Sequence, residues 1–162
     1  MTAGFDPKRF RQALGTFITG VTIVTTVDGE QNDVGMTANS FNSVSMEPPM
    51  VLWSIGKSSS NLQAFLGARH FAVHVLAADQ EALASHFSKR GVDRFAGLPL
   101  ERSADGIPLL PGCAARFQCR TAFQYEGGDH VILVGEVLDF DCDNREPLLF
   151  KSGRYGVAVL KS

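Results

Sequence analysis

A run of small polar residues between positions 35 and 45 carries the most informative chemistry of this chain. It is dense in hydroxyl and amide side chains and almost uncharged, yet it lies between the apolar segments Val21–Val27 and Met50–Ile55. Surface loops usually carry charged residues. Neutral donors beside a core therefore indicate a pocket that hydrogen-bonds a polar ligand. The alternative is an ordinary turn rich in Ser, Thr and Asn between two strands, and composition alone does not choose between them.

A second polar segment precedes the next apolar run. Ser60 and Gln63 have the spacing of a capping box at the start of a helix. The free N–H groups and positive dipole end of a helix N-terminus suit a phosphate. Ser58 and Ser59 add hydroxyl donors, and Lys57 adds a positive charge. The alternative is that Ser60 only caps its own helix.

Common catalytic motifs are missing from the sequence. It has no GxGxxG, no GxxxxGK[ST], no GxSxG and no HExxH. The histidines His70, His74 and His86 lack the companions of a metal site, and we expect them on the surface or hydrogen-bonded in the core. A neutral hydroxyl-rich pocket beside a candidate phosphate site suits a phosphorylated aromatic cofactor better than hydrolysis or metal catalysis.

The segments around the polar run are predicted to be strands. Val21–Val27 is rich in β-branched residues, and Asp28-Gly29 indicates a two-residue hairpin with a return strand over Gln31–Thr37. Met50–Ile55 is predicted to be a buried strand, in which Trp53 needs a partner for its indole N–H. The polar run thus begins where a hairpin strand ends.

The remaining strands are predicted by alternation and by turn residues. His70–Leu76 alternates, and a large hairpin joins Ala114–Tyr125 to Val131–Asp141 through the segment 126–130. Leu148–Lys151 and Tyr155–Leu160 are the last two candidates. Hairpin connections favour a mainly β, largely antiparallel sheet. Closure of about seven strands into a small barrel would remove the sheet edges.

A few short helices are expected between the strands. Asp6-Pro7 has the form of an N-cap followed by proline at the first helical position. The apolar residues after it repeat at helical spacing, which predicts a face packed on the core; they are Phe10, Ala13, Leu14 and Phe17. A second helix is predicted after Ser60, and a third, capped by Asp79, through Leu83 and Phe87.

Length, composition and charge narrow the class of protein. The 162 residues fit one domain, 1–162, with 44% hydrophobic residues to form a core. The net charge of -2 provides no basic field for nucleic acid, and no run has the length of a membrane span. Residues 5–11 contain no apolar signal core, so we expect a cytoplasmic protein.

The chain has three cysteines, Cys113, Cys119 and Cys142. They form no CxxC pair and are predicted to be reduced thiols that serve packing.

A set of residues along nearly the whole chain matches a known pattern. With these residues the sequence resembles the flavin reductase family, the small reductase components of two-component flavin-dependent monooxygenases. The matching residues are Thr37-Ala38-Asn39-Ser40-Phe41, Ser43-Val44-Ser45, Pro48-Pro49, Phe71-Ala72-Val73, Arg94-Phe95, Gly128-Asp129-His130 and Gly153-x-Tyr155-Gly156. The family often has Asn where this chain has His74, a difference that we interpret as neutral for function.

The resemblance implies a split antiparallel β-barrel that binds FMN or FAD, forms a homodimer and serves a separate monooxygenase. By position, the flavin ring and ribityl chain would be bound by one set of residues and the phosphate by another. The first set is Thr37, Ala38, Asn39 and Ser40 with Ser45, Ser54, Ile55 and Gly56; the second is Lys57, Ser58, Ser59 and Ser60. Phe87 and Arg94 would close around the cofactor, His130 would lie near the nicotinamide, and Tyr155 near the mouth of the site.

The implied reaction is hydride transfer from NADH or NADPH to oxidised flavin, in which the cofactors supply the chemistry. Stacked rings bring the reacting atoms to roughly 3–3.5 Å without a nucleophile or strong base. Donors of the Thr37–Ser40 region would stabilise the negative charge of reduced flavin. His130 either orients the nicotinamide amide or is a structural hairpin residue bonded to Asp129. Arg90, Arg94 and Arg154 are possible partners for the nucleotide phosphates, although surface charges are usually only solvated.

Two other functions remain compatible with the sequence. One is an electron-transfer or non-catalytic flavin-binding protein on the same barrel. The other is a dimeric binding module in which the Ser/Thr-rich run is only a turn. The preference between FMN and FAD, or between NADH and NADPH, is not encoded in any motif of the chain.

Overall fold

Twelve strands and three short α-helices make up residues 4–162, the part of the chain that the computed structural model describes. The helices are α1 (Pro7–Gly15), α2 (Leu62–Gly67) and α3 (Glu81–His86), the last preceded by a 3-10 turn at Ala78–Gln80. The strands are β1 (Thr19–Gly20), β2 (Thr22–Val27), β3 (Asp33–Ala38), β4 (Asn42–Met46), β5 (Pro49–Gly56), β6 (His70–Val75), β7 (Glu101–Arg102), β8 (Pro108–Leu109), β9 (Ala115–Gly127), β10 (His130–Cys142), β11 (Leu149–Lys151) and β12 (Arg154–Gly156).

Seven of these strands form one antiparallel sheet in the order β3-β2-β6-β9-β10-β5-β4. The prediction of a mainly β, antiparallel split barrel is confirmed. The sheet does not close on itself, because β3 and β4 remain its two edges in the described part of the chain. Two small sheets, β1-β11-β12 and β7-β8, lie outside it.

The predicted large hairpin is the longest pairing in the sheet. β9 and β10 are joined at Gly128-Asp129, and Gly128 has φ +67°, a conformation that glycine adopts at little cost. β10 also pairs with β5 from His130, opposite Gly56, to Glu136, opposite Met50. The hairpin end is therefore fixed against the end of β5, where the serine-rich loop begins.

The core consists of two main clusters. One surrounds Trp53, Phe65 and Phe71, and the other contains Phe87 and Leu76. Trp53 is fully buried and packs edge to face with Phe65 at a centroid distance of 4.8 Å. The prediction that its indole N–H finds a partner is wrong, since Nε1 has no acceptor among the described residues.

Helix α1 forms as predicted but does not pack as predicted. Asp6 Oδ1 accepts from the N–H groups of Lys8 at 2.9 Å and Arg9 at 3.4 Å, which confirms the N-cap. The apolar face is not buried in the core: Phe10 is 49%, Leu14 58% and Phe17 77% exposed. The end of α1 contacts the β11–β12 turn instead, where Ser152 N–H donates to the Gly15 carbonyl at 3.1 Å.

The predicted starts of the other helices are wrong by one residue. The N-cap of α2 is Asn61, so Ser60 and Gln63 form no capping box. α3 is preceded by Gln80 instead of a cap at Asp79, and the Gln80 side chain accepts from the Ala77 N–H at 2.9 Å. Before α2 a local turn takes a donor that the pattern assigned to the cap, since the Leu62 N–H donates to the Ser59 carbonyl at 3.2 Å.

Two predicted strand boundaries also differ. The β2–β3 connection is a five-residue loop, 28–32, because Asp28 Oδ1 accepts from the N–H groups of Glu30 and Asn32, both at 2.9 Å. The last strand ends at Gly156, so residues 157–160 are not part of it.

None of the helices within residues 4–162 is long and apolar enough to cross a membrane.

His74 is fully buried and hydrogen-bonded on both ring nitrogens, as expected for a core histidine. Nδ1 lies 2.9 Å from the Ile23 carbonyl oxygen, and the Leu110 N–H donates to Nε2 at 3.1 Å. Nδ1 is therefore the donor and the imidazole is neutral. Burial lowers the pKa of His74 to about 4. This neutral side chain joins β2, β6 and the segment after β8.

The cysteines are free thiols, as predicted. Cys113 and Cys119 are buried, and Cys142 is exposed. Burial raises the pKa of Cys113 to about 11 and that of Cys119 to about 12. Both buried thiols are thus protonated at neutral pH and serve packing.

Candidate functional site

A cleft of about 770 Å³ opens between three segments of the fold. These are β3, the loop that follows β5, and the loop that follows α3. Seven of the sequence-predicted site residues line it: Thr37, Gly56, Ser58, Ser59, Ser60, Phe87 and Arg94. Thr37 of the first polar segment and the serines of the second are therefore brought together, although Thr37 and Ser58 are 21 positions apart in the chain.

The β3 wall of the cleft consists of Asp33, whose carboxylate is paired with Arg102, and of the uncharged residues from Val34 to Thr37. Thr37 is bonded to the neighbouring helix: its hydroxyl donates to the Ala84 carbonyl at 2.6 Å and its N–H to the Phe87 carbonyl at 3.4 Å. Thr37 thus holds the end of α3 beside β3. Its hydroxyl oxygen keeps a lone pair with which it can accept a bond from a ligand.

Gly35 and two aromatic rings form the packed base of this wall. A Cβ at Gly35 would lie 2.8 Å from Phe87 Cε1 and 2.9 Å from Phe95 Cζ, so the rings occupy the space of a side chain. The two rings meet edge to face at a centroid distance of 5.1 Å. Phe87 is fully buried. It is a fixed part of the wall, and the expectation that it closes around a cofactor is not supported by this placement.

The loop after α3 brings three positive side chains to the cleft, Lys89, Arg90 and Arg94. Arg94 donates through Nε to the Lys89 carbonyl at 2.8 Å and through a terminal nitrogen to the Gly35 carbonyl at 2.7 Å. Burial and the charge of Arg90 lower the pKa of Arg94. Within residues 4–162, none of the three cations has a carboxylate within 4.0 Å. Asp93 of the same loop also lines the cleft and accepts from the Phe95 N–H, so this end of the cleft carries a net charge of +2 from four side chains. The excess of positive charge favours an anion here.

The loop after β5 supplies hydroxyl groups. Ser58 and Ser60 are exposed, and Ser59 is half-buried with its Oγ accepting from the Asn61 N–H at 3.2 Å. The Ser59 N–H donates to the Gly56 carbonyl at 3.0 Å, which tightens the turn. The loop thus places donors in the same cleft as the three cations, and this donor set suits a phosphate group.

Lys57 and His130 lie beside the cleft, at the end of the β9–β10 hairpin. The Lys57 ammonium pairs with Glu126 and is not among the lining groups. The Lys57 N–H donates to the Asp129 carbonyl at 2.9 Å. His130 Nδ1 lies 2.7 Å from Asp129 Oδ1. The phosphate role of Lys57 and the nicotinamide role of His130 both stay predictions.

The remaining predicted residues are divided among other places. Ser40 bridges to the backbone of Ser54, accepting from its N–H at 2.9 Å and donating to its carbonyl at 3.1 Å. Ile55 is fully buried in the core. Ser45 is half-buried on the edge strand β4, and the Ala38 carbonyl accepts from the Thr22 hydroxyl. Asn39 lines a separate cavity of about 620 Å³. The ring of Tyr155 packs on that of Phe150 at a centroid distance of 5.4 Å.

Sequence reasoning missed part of the cleft. The loop residues other than Arg90 and Arg94 were not predicted, nor were Val34 and Met36 on β3. The available signal was the run Lys89-Arg90-Gly91 followed by Arg94, four residues of which three are basic and none apolar. No sequence pattern marks Gly35 as part of the site. Its role depends on the rings of Phe87 and Phe95, which are distant in the chain and occupy the space of its missing side chain.

Comparisons with known proteins agree with this geometry. A family described as flavin reductase like domain matches residues 14–158. The FMN reductase (NADH) SmoA of Agrobacterium fabrum is 49% identical over 153 residues, which are 94% of this chain and 87% of that protein. A solved NADH:FAD oxidoreductase of Streptomyces globisporus, in complex with NAD and FAD fragments, is 42% identical with a TM-score of 0.87, and the match covers 96% of each chain.

Another relative is a component of a larger system. The reductase component of the flavin-dependent trigonelline monooxygenase of Acinetobacter baylyi is 41% identical over 148 residues. These are 91% of this chain but 48% of that protein, so this chain spans about half the length of that relative.

Proposed function

The chain belongs to the flavin reductase family, and from this premise we propose that it transfers hydride from NADH or NADPH to FMN or FAD. The observation that carries the proposal is the composition of one cleft. Its β3 wall between Val34 and Thr37 is uncharged, and its other walls hold serine hydroxyls and cations without carboxylate partners. A phosphorylated aromatic ring system matches both halves of that surface.

The side chains of the cleft suit the parts of such a cofactor. Ser58, Ser59 and Ser60 donate hydrogen bonds to the phosphate, and Arg90 adds a positive charge. The β3 segment with Thr37 accommodates the ring, since it presents no charge that would have to be desolvated. When bound, the flavin supplies the hydride acceptor and the nicotinamide supplies the hydride. The protein binds and orients them, and this division of labour requires no catalytic nucleophile.

The chain also provides a hydrogen-bonding side chain on the nicotinamide side. His130 lies at the end of β10, opposite Gly56 in the sheet, and Gly56 lines the cleft. We place the carboxamide of the nicotinamide next to this imidazole. The fixed position of His130 between β9 and β5 orients the dinucleotide without a separate nucleotide-binding domain.

A steady-state assay that crosses FMN, FAD and riboflavin with NADH and NADPH tests the proposal. Loss of NADH absorbance that depends on both protein and added flavin is the expected result. A yellow protein without turnover would instead support an electron-transfer or non-catalytic flavin protein. A colourless protein whose melting temperature is unchanged by FMN and FAD would leave only a binding module.

A separate monooxygenase is the proposed consumer of the reduced flavin. The support is the trigonelline monooxygenase relative, which is itself a reductase component. A reductase that serves a second protein has to release its product. Anaerobic ultrafiltration after reduction by NADH is therefore expected to leave most reduced flavin in the filtrate, and reduced flavin retained with the protein would contradict the proposal.

The proposed location of the protein is the cytoplasm. Its three cysteines are free thiols, and the cytoplasm keeps thiols reduced.

A homodimer is proposed as well, because apolar side chains are exposed on two faces. Phe17 on α1 is 77% exposed, and Phe123 and Tyr125 stack on β9 with centroids 5.8 Å apart while half exposed. Sedimentation equilibrium is expected to give twice the chain mass of 17.5 kDa. Phe17→Asp and Tyr125→Asp, measured in parallel, distinguish the two faces, and a wild-type monomer would contradict the proposal.

A further inference from the structure

The end of the β9–β10 hairpin is held from two sides. His130 pairs with Gly127 on β9 and with Gly56 on β5, and the turn residue Asp129 accepts the Lys57 N–H through its carbonyl at 2.9 Å. The backbone of His130 is therefore fixed relative to the cleft. The remaining freedom is the rotation of its side chain and the position of its proton.

Asp129 restricts both of these. Its Oδ1 lies 2.7 Å from Nδ1 of His130. The hydrogen bond from His130 lowers the pKa of Asp129, so its side chain is a carboxylate at neutral pH and can only accept. Nδ1 therefore carries the proton. In a neutral imidazole Nε2 is then left as an acceptor.

The acceptor nitrogen lies at the wall of the cleft. A Cβ placed on Gly56 would be 3.7 Å from His130 Nε2 and 4.0 Å from Ser58 Oγ. Gly56 and Ser58 both line the cleft. The absence of a side chain at Gly56 leaves Nε2 accessible from that side.

We propose that Asp129 is a positioning residue for hydride transfer. It keeps the proton of His130 on Nδ1, so that Nε2 accepts a hydrogen bond from the amide N–H of the nicotinamide carboxamide. This inference rests on the proposed function, since it assigns the group that recognises the hydride donor. Asp129 acts through His130 and does not itself contact the substrate.

If the Asp129–His130 pair had a purely structural role, removal of Asp129 would lower the stability of the protein and would affect NADH recognition only through that loss. The Asp129 side chain is 95% exposed and that of His130 is 50% exposed, and ion pairs this exposed contribute little to stability. Loss of the carboxylate is therefore expected to leave folding unchanged. An effect on NADH recognition in a normally folded variant would then come from the orientation and tautomer of the imidazole.

The test uses Asp129→Ala, with Asp129→Asn as the conservative variant. In Asp129→Ala, we expect the KM for NADH to rise about tenfold with little change in kcat and in the affinity for flavin, because one hydrogen bond to the substrate is weakened. Asn keeps a carbonyl oxygen that can accept from Nδ1, so Asp129→Asn is expected to recover part of this loss. An unchanged KM in Asp129→Ala would overturn the proposal.

A second readout needs no turnover. ¹⁵N NMR of the imidazole is expected to show the proton of His130 on Nδ1 in the wild type and a mixture of tautomers in Asp129→Ala. Wild-type protein that does not oxidise NADH would refute the proposed function, while the tautomer still reports on Asp129. Active protein whose tautomer is the same in both forms would refute the role of Asp129 alone.

Asp143→Ala is the matched control. Asp143 is also an exposed carboxylate paired within its own turn, 2.9 Å from Arg145 Nε, and it lies just beyond the opposite end of β10. Its removal deletes the same charge without reaching His130. Equal increases of the KM for NADH in Asp143→Ala and Asp129→Ala would mean that net charge, and not the orientation of His130, is responsible.

Discussion

The guanidinium of Arg94 donates to the carbonyl oxygen of Gly35 at 2.7 Å, which joins the loop after α3 to the edge strand β3. Its Nε donates to the Lys89 carbonyl at 2.8 Å and so fixes the shape of that loop. Arg94 is thus committed to the backbone. Arg90 and Lys89, which have no ion-pair partner in the described chain, are the cations free to meet a ligand.

Arg94→Lys is predicted to reduce stability although it keeps the charge. An ammonium on a flexible stem does not reproduce two divergent bonds from one planar group. Hydrogen bonds of charged groups contribute about 1.5–3 kcal/mol, and partial exposure lowers this, so we expect a loss of about 1 kcal/mol. Thermal unfolding should then shift down by about 2–4 °C. A melting temperature equal to that of the wild type would show that the loop is held by other contacts.

Arg90→Ala is predicted to affect ligand binding and not stability. Without a protein partner, its removal should change the free energy of unfolding by less than about 0.5 kcal/mol. The affinity for FMN is expected to fall about tenfold, while riboflavin, which has no phosphate, binds as before. Titrations at low and high salt check the charge dependence. Arg69→Ala, an exposed arginine outside the cleft, is the control, and an equal loss there would exclude a specific role for Arg90.

The sequence predicted those parts of the site that are local. The hydroxyl-rich run around Thr37 and the serines at 58–60 each adjoin a strand with a clear pattern, and hairpin connectivity brings both to one cleft. The wall formed by the loop after α3 could not be predicted in the same way. Arg94 and Gly35 are 59 residues apart in the chain, and no periodicity connects them.

Helix α1 and the caps show a second limit. The helical spacing of Phe10 and Leu14 correctly predicts an amphipathic helix, but periodicity does not specify what covers the apolar face. Likewise, Ser60 has the composition of an N-cap, while Asn61 takes that position because the preceding turn at Ser59 uses the local donors. Propensity describes what a segment can form, and its neighbours decide which form it takes.

Gly35→Ala is predicted to destabilise the protein by about 1–3 kcal/mol, the usual cost of overpacking. The added methyl group would lie 2.8 Å from Phe87 and 2.9 Å from Phe95, and both rings are packed against other groups. Urea unfolding measures the loss. Gly29→Ala is the control, since nothing lies within 4 Å of its Cβ position. Similar losses in both variants would mean that backbone flexibility, and not the aromatic contact, sets the cost.

His74 is predicted to make stability fall between pH 6.5 and about 4. Its pKa is lowered from 6.5 to about 4 in the folded protein. In that window the unfolded chain binds the proton and the folded chain does not, so the free energy of unfolding rises with pH. The contribution is complete above pH 6.5 and is lost as the pH falls towards 4. A difference of this size corresponds to at most about 3 kcal/mol.

The matched variant is His74→Asn, measured by urea unfolding at several pH values. The Asn amide can donate to the Ile23 carbonyl from the position of Nδ1, in a side chain that does not titrate. It does not reach the Leu110 N–H, so a constant loss of stability is expected at every pH. The charges of Arg116 and Asp141 also act on this imidazole, and they remain in the variant. The step attributable to His74 is therefore the difference between the two pH profiles. If the profiles are parallel between pH 4 and 6.5, the buried imidazole is not the group that titrates, and the loss of stability in acid has to come from the carboxylates.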